Sequence, residues 1–274
     1  MENLIFQYTI TSDELDRQRK NVKGKSRSSL YKEISEISST SFQIYADLLG
    51  CDYLFSAEQV VTEGHSSFLS YFFEVLRVVY DKSFDEYDKV LFLDTDIVCN
   101  TTESIFDVAE ADVVGVYESD IVTENGGGYA GWDRDAEKFR ILSNKFSRFG
   151  APVLPALPPH LPSKCAMMNT GVMVWTRDAR LKARECFDDW VPWMEDDIEN
   201  PAWLANDQPF LNAQFSKHDF HIQGIDQTWN DTPTHYREPE VTGMKSNFLH
   251  YTGGQNKLEM VKHYHKGLYK IFDL

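Results

Sequence analysis

Apolar and polar positions alternate along the first ~120 residues in a strand-then-helix rhythm. Leu4 to Ile10 is apolar, β-branched and aromatic, and stops at Thr11-Ser12-Asp13, which predicts a strand followed by a helix cap. Ser41 to Leu49 has helical spacing with Gly50 placed to end it. Cys51 to Ser56 reads as a second strand, and Phe68 to Phe84 as a helix whose internal charges are Glu74 and Arg77. Lys89 to Leu93 is a continuous apolar run, the pattern of a strand buried on both faces, and Ile97-Val98 continues it. A short helix over Ser104 to Ala109 and a strand over Val113 to Tyr117 follow. This alternation predicts an α/β fold: a mixed, mostly parallel sheet flanked by helices on both faces.

The second half is less regular. Glu124 to Gly131 is glycine-rich and reads as a loop, Arg134 to Ser147 as a helix, and Met168 to Trp175 as a strand. Ala151 to Pro162 holds five of the ten prolines and is predicted to be stiff and extended. Asp178 to Ile198 reads as an amphipathic helix or helix pair interrupted at Pro192. Asp207 to Phe215 is predicted to be helical, Phe220 to Ile222 a short strand and Lys257 to Phe272 a terminal helix. With no internal repeat and no low-complexity linker, residues 1–274 are expected to form one domain, with 1–120 as its nucleotide-binding half and 121–274 as its acceptor-side half and C-terminal metal and phosphate motif.

Composition narrows the function. The 274 residues are 42% apolar and 14% aromatic, enough for a large core. Lys and Arg number 27 against 43 Asp and Glu, a net charge of −16, which repels phosphate backbones and anionic membranes. Nucleic acid is therefore disfavoured as a partner, and an anionic substrate needs a metal or a locally positive pocket. One basic, Ser-rich stretch, residues 17–29, reads as a solvated loop or as a flap over a bound phosphate. Four cysteines without a CxxC pair suggest reduced thiols. No segment approaches the roughly 18 apolar residues of a membrane span, and the expected protein is soluble and cytoplasmic. The N-x-T sequences at Asn100 and Asn230 are taken as chance matches.

Asp94-Thr95-Asp96 closes the most apolar strand. Residues i and i+2 of an extended segment point the same way, so both carboxylates share one face at the edge where open α/β sheets bind ligands. Two hard oxygen donors there suit Mn²⁺ or Mg²⁺, ions that also take substrate phosphates. Asp133-Arg134-Asp135 repeats the motif without a strand before it and reads as a decoy. Three later segments add polar groups at element ends: Met168-Asn169-Thr170-Gly171-Val172, Asp207-Gln208-Pro209-Phe210-Leu211-Asn212, and His250-Tyr251-Thr252-Gly253-Gly254.

In this order, the four segments resemble the GT-A glycosyltransferases, most closely family 8. That resemblance, from Leu4 to about Lys257, implies a nucleotide-diphosphate sugar donor, a glycan or other hydroxyl acceptor, and retention of configuration. It implies Mn²⁺ (or Mg²⁺) on Asp94, Asp96 and His250, with Asp94 and Thr95 near the donor nucleotide. It places Tyr8, Thr9 and Ile10 by the base and ribose, Arg77 near the donor, and Gly253 and Lys257 on the diphosphate. Asn169, Asp207 and Gln208 would face the donor sugar as catalytic residues. The family lysine falls six residues after its histidine; here that position is Asn256, Lys257 is one later, and the Pro-Trp that follows is missing. The loops with Tyr129, Trp132 and the prolines are expected to line the acceptor entrance. The alternatives are a binding protein that has lost turnover, and a sugar-nucleotide nucleotidyltransferase; the acidic, glycine-free stretch after the first strand argues against the latter.

Overall fold

The computed structural model describes residues 2–10, 27–65, 67, 69–117, 136–152, 167–196, 202–232 and 246–274. The Asp133-x-Asp135 motif, Glu124 to Gly131, Trp132, residues 17–26 and most of the proline-rich segment lie outside them.

Eight strands are described: β1 (Asn3–Tyr8), β2 (Asp52–Ser56), β3 (Lys89–Leu93), β4 (Ile97–Cys99), β5 (Val113–Tyr117), β6 (Met168–Thr176), β7 (Ile222–Gly224) and β8 (Phe248–His250). The helices are α1 (Arg27–Leu49), the single turn α2 (Arg77–Tyr80), α3 (Ala136–Arg148), α4 (Arg177–Cys186), α5 (Trp190–Glu195), α6 (Asp207–Lys217) and α7 (Gly253–His265). The main sheet has six strands in the order β2-β1-β3-β6-β5-β7. β6 pairs antiparallel with both its neighbours, and the other pairings are parallel. This is the mixed, mostly parallel α/β sheet expected.

The period of two along each strand sorts side chains into two cores. Leu4 and Phe6 of β1, Val90 and Phe92 of β3, and Met173 and Trp175 of β6 join one core, under α4, α5 and α6. Ile5, Leu91, Leu93, Val172 and Val174 join the other, under α1 and α7. Burial on both faces is why these strands read as unbroken apolar runs.

Several elements differ from expectation. Ile97 and Val98 do not continue β3: the chain turns at Asp94-Thr95-Asp96, and β4 pairs antiparallel with β8 in a separate ribbon. Within the span expected to be one helix, the described residues are mostly 3₁₀, as Ser70–Leu76 and Lys82–Glu86 around α2. Over two turns, apolar spacing does not separate a period of 3.6 from one of 3.0. The helix pair breaks before Trp190 rather than at Pro192. The Asp189 carboxylate accepts from the Val191 N–H at 2.9 Å, capping α5 and leaving Pro192 in a first turn whose N–H groups have no helical acceptor. The terminal helix starts at Gly253, so the two glycines are its first turn and not a loop. α1 begins at Arg27, well before Ser41, and Gly50 ends it with φ of +65°, as its sequence position suggested.

Candidate metal and donor site

Three chain segments meet where β3 leaves the sheet. The Asp94 N–H donates to the Gly171 carbonyl of β6 at 2.9 Å, which holds the turn against the neighbouring strand. The Tyr251 N–H donates to the Asp96 carbonyl at 2.8 Å, and the β4–β8 register sets His250 opposite Ile97, beside Asp96. His250 Nε2 therefore faces Asp96 Oδ1 at 3.2 Å and Asp94 Oδ2 at 3.7 Å. One ligand atom from each of the three residues lies within 4.8 Å of the others.

The histidine is oriented from behind. Its Nδ1 is 2.8 Å from Asn230 Oδ1, and Asn230 Nδ2 donates at 2.8 Å to Asn169 Oδ1, which also accepts from the Gly171 N–H at 2.9 Å. An amide oxygen only accepts, so Nδ1 carries a proton and Nε2 is the nitrogen turned to the carboxylates; against the cost of burial, the Asp96 and Asp94 charges raise the imidazole above its ordinary range, and a divalent ion would take the place of the Nε2 proton. Nε2 is buried and makes no hydrogen bond. Two carboxylate oxygens and an imidazole lone pair fit a divalent ion, and a partner holding the far ring nitrogen is the usual support of a ligating histidine.

Gly171 is required by space. A Cβ there would lie 2.4 Å from His250 Cε1 and 3.0 Å from both Asp94 Oδ2 and Asn169 Oδ1. Gln7, fully buried in β1, donates from Nε2 to the Asp94 carbonyl at 3.0 Å and to Ser38 Oγ at 2.9 Å. Neither residue was singled out for the site from sequence, nor was Asn230, taken as a chance sequon and in fact buried. A signal existed in each: a glutamine inside an apolar strand, and a glycine within a buried one.

The α6 end adds a fourth group. Asn212 ties that helix to β6, its Oδ1 accepting from the Met168 N–H at 2.8 Å and its Nδ2 donating to the Met168 carbonyl at 2.9 Å. Asp207 accepts from the Thr170 hydroxyl at 3.0 Å, and Gln208 Oε1 from the Thr170 N–H at 3.3 Å. Enclosure, then the Asp94 charge, pushes the Asp207 carboxyl up to about 7. Enclosure and Asp96 likewise raise Asp94, to about 6. Asp96 goes the other way: against the cost of burial, the Lys257 ammonium and His250 hold it well below the usual carboxylate range.

The other expected residues divide. Lys257, in the second turn of α7, lies 2.6 Å from Asp96 Oδ2. Gly253 opens the same helix, and Thr95 sits half-exposed in the turn. Burial raises the Tyr8 hydroxyl well above its ordinary value, with the charges of Asp207 and Asp94 adding to the shift, so the end of β1 borders the cluster. Thr9 follows, its N–H on the Ser56 carbonyl at 2.9 Å, and Ile10 is half-buried. Arg77 is engaged elsewhere: its guanidinium donates to Ser56 Oγ at 2.8 Å and Asp81 at 2.9 Å and lies over the Phe6 and Phe84 rings.

The sheet order and its flanking helices are the fold of the GT-A glycosyltransferases. The sequence pattern of glycosyl transferase family 8 matches residues 3–257, and the chain belongs to that family. Among solved structures, a glycosyltransferase involved in glycosylation of the major capsid of PBCV-1 is similar at 11% identity, covering 97% of this chain and 100% of that one with a TM-score of 0.50. The WbbM bifunctional glycosyltransferase is similar at 13% identity, 98% of this chain, 51% of that chain and a TM-score of 0.50. No curated protein matches by sequence. Among the described residues, no helix is long and apolar enough to cross a membrane.

Proposed function

We propose that this glycosyltransferase moves a sugar from a nucleotide-diphosphate donor, with UDP-sugars the first to try, to a glycan or other hydroxyl acceptor with retention, and that it needs Mn²⁺ or Mg²⁺. The observation that supports the reading most is the buried Nε2 of His250 set within reach of two carboxylates, its far nitrogen beside Asn230. When bound on Asp94, Asp96 and His250, the ion supplies Lewis-acid neutralisation of the departing diphosphate.

The remaining roles fall to the chain. Tyr8, Thr9, Ile10 and Thr95 border the nucleotide. The Gly253 end of α7 offers free N–H groups to phosphate oxygens, and Lys257 supplies a cation beside them. As the bond from the anomeric carbon to the diphosphate breaks, its electron pair leaves with the diphosphate and positive charge develops on the sugar. Asp207 is the carboxylate assigned to stabilise that charge, with Gln208 and Asn169 orienting the sugar. The acceptor oxygen then bonds to the anomeric carbon and gives its proton to the departing diphosphate oxygen. Residues 1–120 serve the nucleotide, and 121–274 supply the acceptor side together with the C-terminal metal and phosphate groups; Arg77 supports the donor side from behind, through Ser56 at the end of β2.

Incubation with a panel of nucleotide-diphosphate sugars, with and without Mn²⁺, tests the reading. Metal-dependent release of nucleotide from one donor is expected. Turnover undiminished in EDTA overturns the metal assignment, and nucleotide binding without release from any donor favours a binding protein that has lost turnover.

A further inference from the structure

Lys257 stands at the cluster in a way its proposed phosphate role does not need. Its ammonium is 2.6 Å from Asp96 Oδ2, while Asp96 Oδ1 faces His250 Nε2 at 3.2 Å, so one carboxylate is shared between the lysine and the candidate metal position. The lysine is held there a second time, with Nζ 5.2 Å from the centre of the Tyr31 ring on α1, and its side chain is 19% exposed. It projects from a helix already regular at Gly253, and it is the last residue that the family pattern matches.

We infer that Lys257 is a built-in competitor of the metal. In the metal-free protein its ammonium neutralises Asp96, and an ion held by Asp94, Asp96 and His250 has to share that carboxylate with a like charge. A bound diphosphate gives the ammonium a second anion and draws it away from Asp96. Metal affinity is thus low without nucleotide and rises with it, and linkage requires the metal to raise nucleotide affinity by the same factor. Two carboxylates facing one lysine hold the ion weakly, so the site loads as a ternary complex rather than retaining a free ion. This rests on the metal reading above, and the test separates the two.

Free Mn²⁺ measured by its EPR signal, at pH 8 where the carboxylates are ionised, gives affinity without any turnover. Lys257→Met keeps the apolar stem against Tyr31 and removes the charge; Lys257→Gln repeats the test should the first variant fold poorly, and Lys257→Arg keeps the charge. The Met and Gln variants are expected to bind Mn²⁺ about tenfold more tightly than wild type when no nucleotide is present, and the Arg variant like wild type. Addition of UDP, GDP or ADP is expected to tighten Mn²⁺ binding in wild type and to do so by a smaller factor in Lys257→Met. If wild type binds Mn²⁺ and the neutral variants bind it equally or more weakly, Lys257 supports Asp96 rather than competing, and the inference falls while the metal site stands. If no form takes up Mn²⁺ with or without nucleotide, the metal reading itself fails.

Discussion

The two ends of β3 are both crowded with charge and treat it in opposite ways. At the end where the strand begins, the cations are met by a carboxylate or by backbone carbonyls. Arg184 holds Asp85 with both terminal nitrogens, at 2.8 and 2.6 Å, and donates from Nε to the Val79 carbonyl at 2.7 Å. Arg180, fully buried, donates to the carbonyls of Phe84 and Tyr87, and Lys89 to those of Phe106 and Ala109 at 2.7 and 2.8 Å. The Arg184 guanidinium keeps Asp85 below the usual carboxylate range. At the end where the strand stops, Asp94, Asp96 and Asp207 gather around one lysine and one histidine, and two of the three carboxyls are pushed up. The first end is built for stability. The second is left incomplete, as a site is when its missing charge is to come from a ligand.

The widest separation between the two ends should come from removing ligands at the second. His250→Ala and Asp96→Asn are each expected to reduce activity about 1000-fold, near 4 kcal/mol in the barrier. Asp94→Asn should do the same while raising the melting temperature, because it relieves a repelled carboxylate. Calorimetry beside a donor-hydrolysis assay reads both, and a melting temperature lowered by several degrees in Asp94→Asn would mean that the cluster is structural.

Next in size is the opposite case. Arg180→Leu leaves two carbonyls without their donor and is expected to cost about 3 kcal/mol of stability with kcat of the folded protein unchanged. Urea unfolding followed by activity at low temperature checks this. A fall in kcat without a fall in stability would erase the distinction between the ends.

A third buried charge sharpens the contrast. Lys145 donates to the Trp193 carbonyl at 2.8 Å, with Asp196 at 3.9 Å, and burial pulls its ammonium down to about 8. Its pKa is thus lower folded than unfolded, and between about 8 and 10.5 the unfolded chain binds the extra proton. Stability therefore rises with pH across that window, on the order of 2 kcal/mol. Denaturation midpoints at pH 7.5 and 9.5 should show the rise in wild type and a smaller one in Lys145→Met; equal slopes would place the titration elsewhere. The smallest effect belongs to the Asp85–Arg184 pair, partly exposed, where Asp85→Asn should cost about 1 kcal/mol or less. A loss of several kcal/mol would show that pair to be a keystone of the matched end.

Much of this was legible in the chain. Local pattern located β1, β2, β3, β5 and β6 and the start of α6, since period and end signals are properties of a few consecutive residues. The Asp94-x-Asp96 motif was readable for the same reason, since it closes a strand whose run is visible, whereas His250 was reached only through the resemblance to the family. What pattern missed was whatever depends on pairing at a distance. Ile97-Val98 looked like more of β3 because an apolar run does not say which partner it will take, and only pairing with β8 turns the chain at Thr95 and carries His250 to the carboxylates. Asn230, Gln7 and Gly171 act through side chains or space contributed by other segments, and nothing within a few residues of them indicates that. Lys257 shows the boundary within one residue: its identity and its shifted spacing were in the sequence, but its position 2.6 Å from Asp96 follows from α7 starting at Gly253 and packing beside α1. The sequence by itself determined the fold class and the kinds of ligand atom available, because burial and chemistry are local. Which of those atoms meet was decided by tertiary structure, because strand register and helix placement minimise free energy over the whole chain.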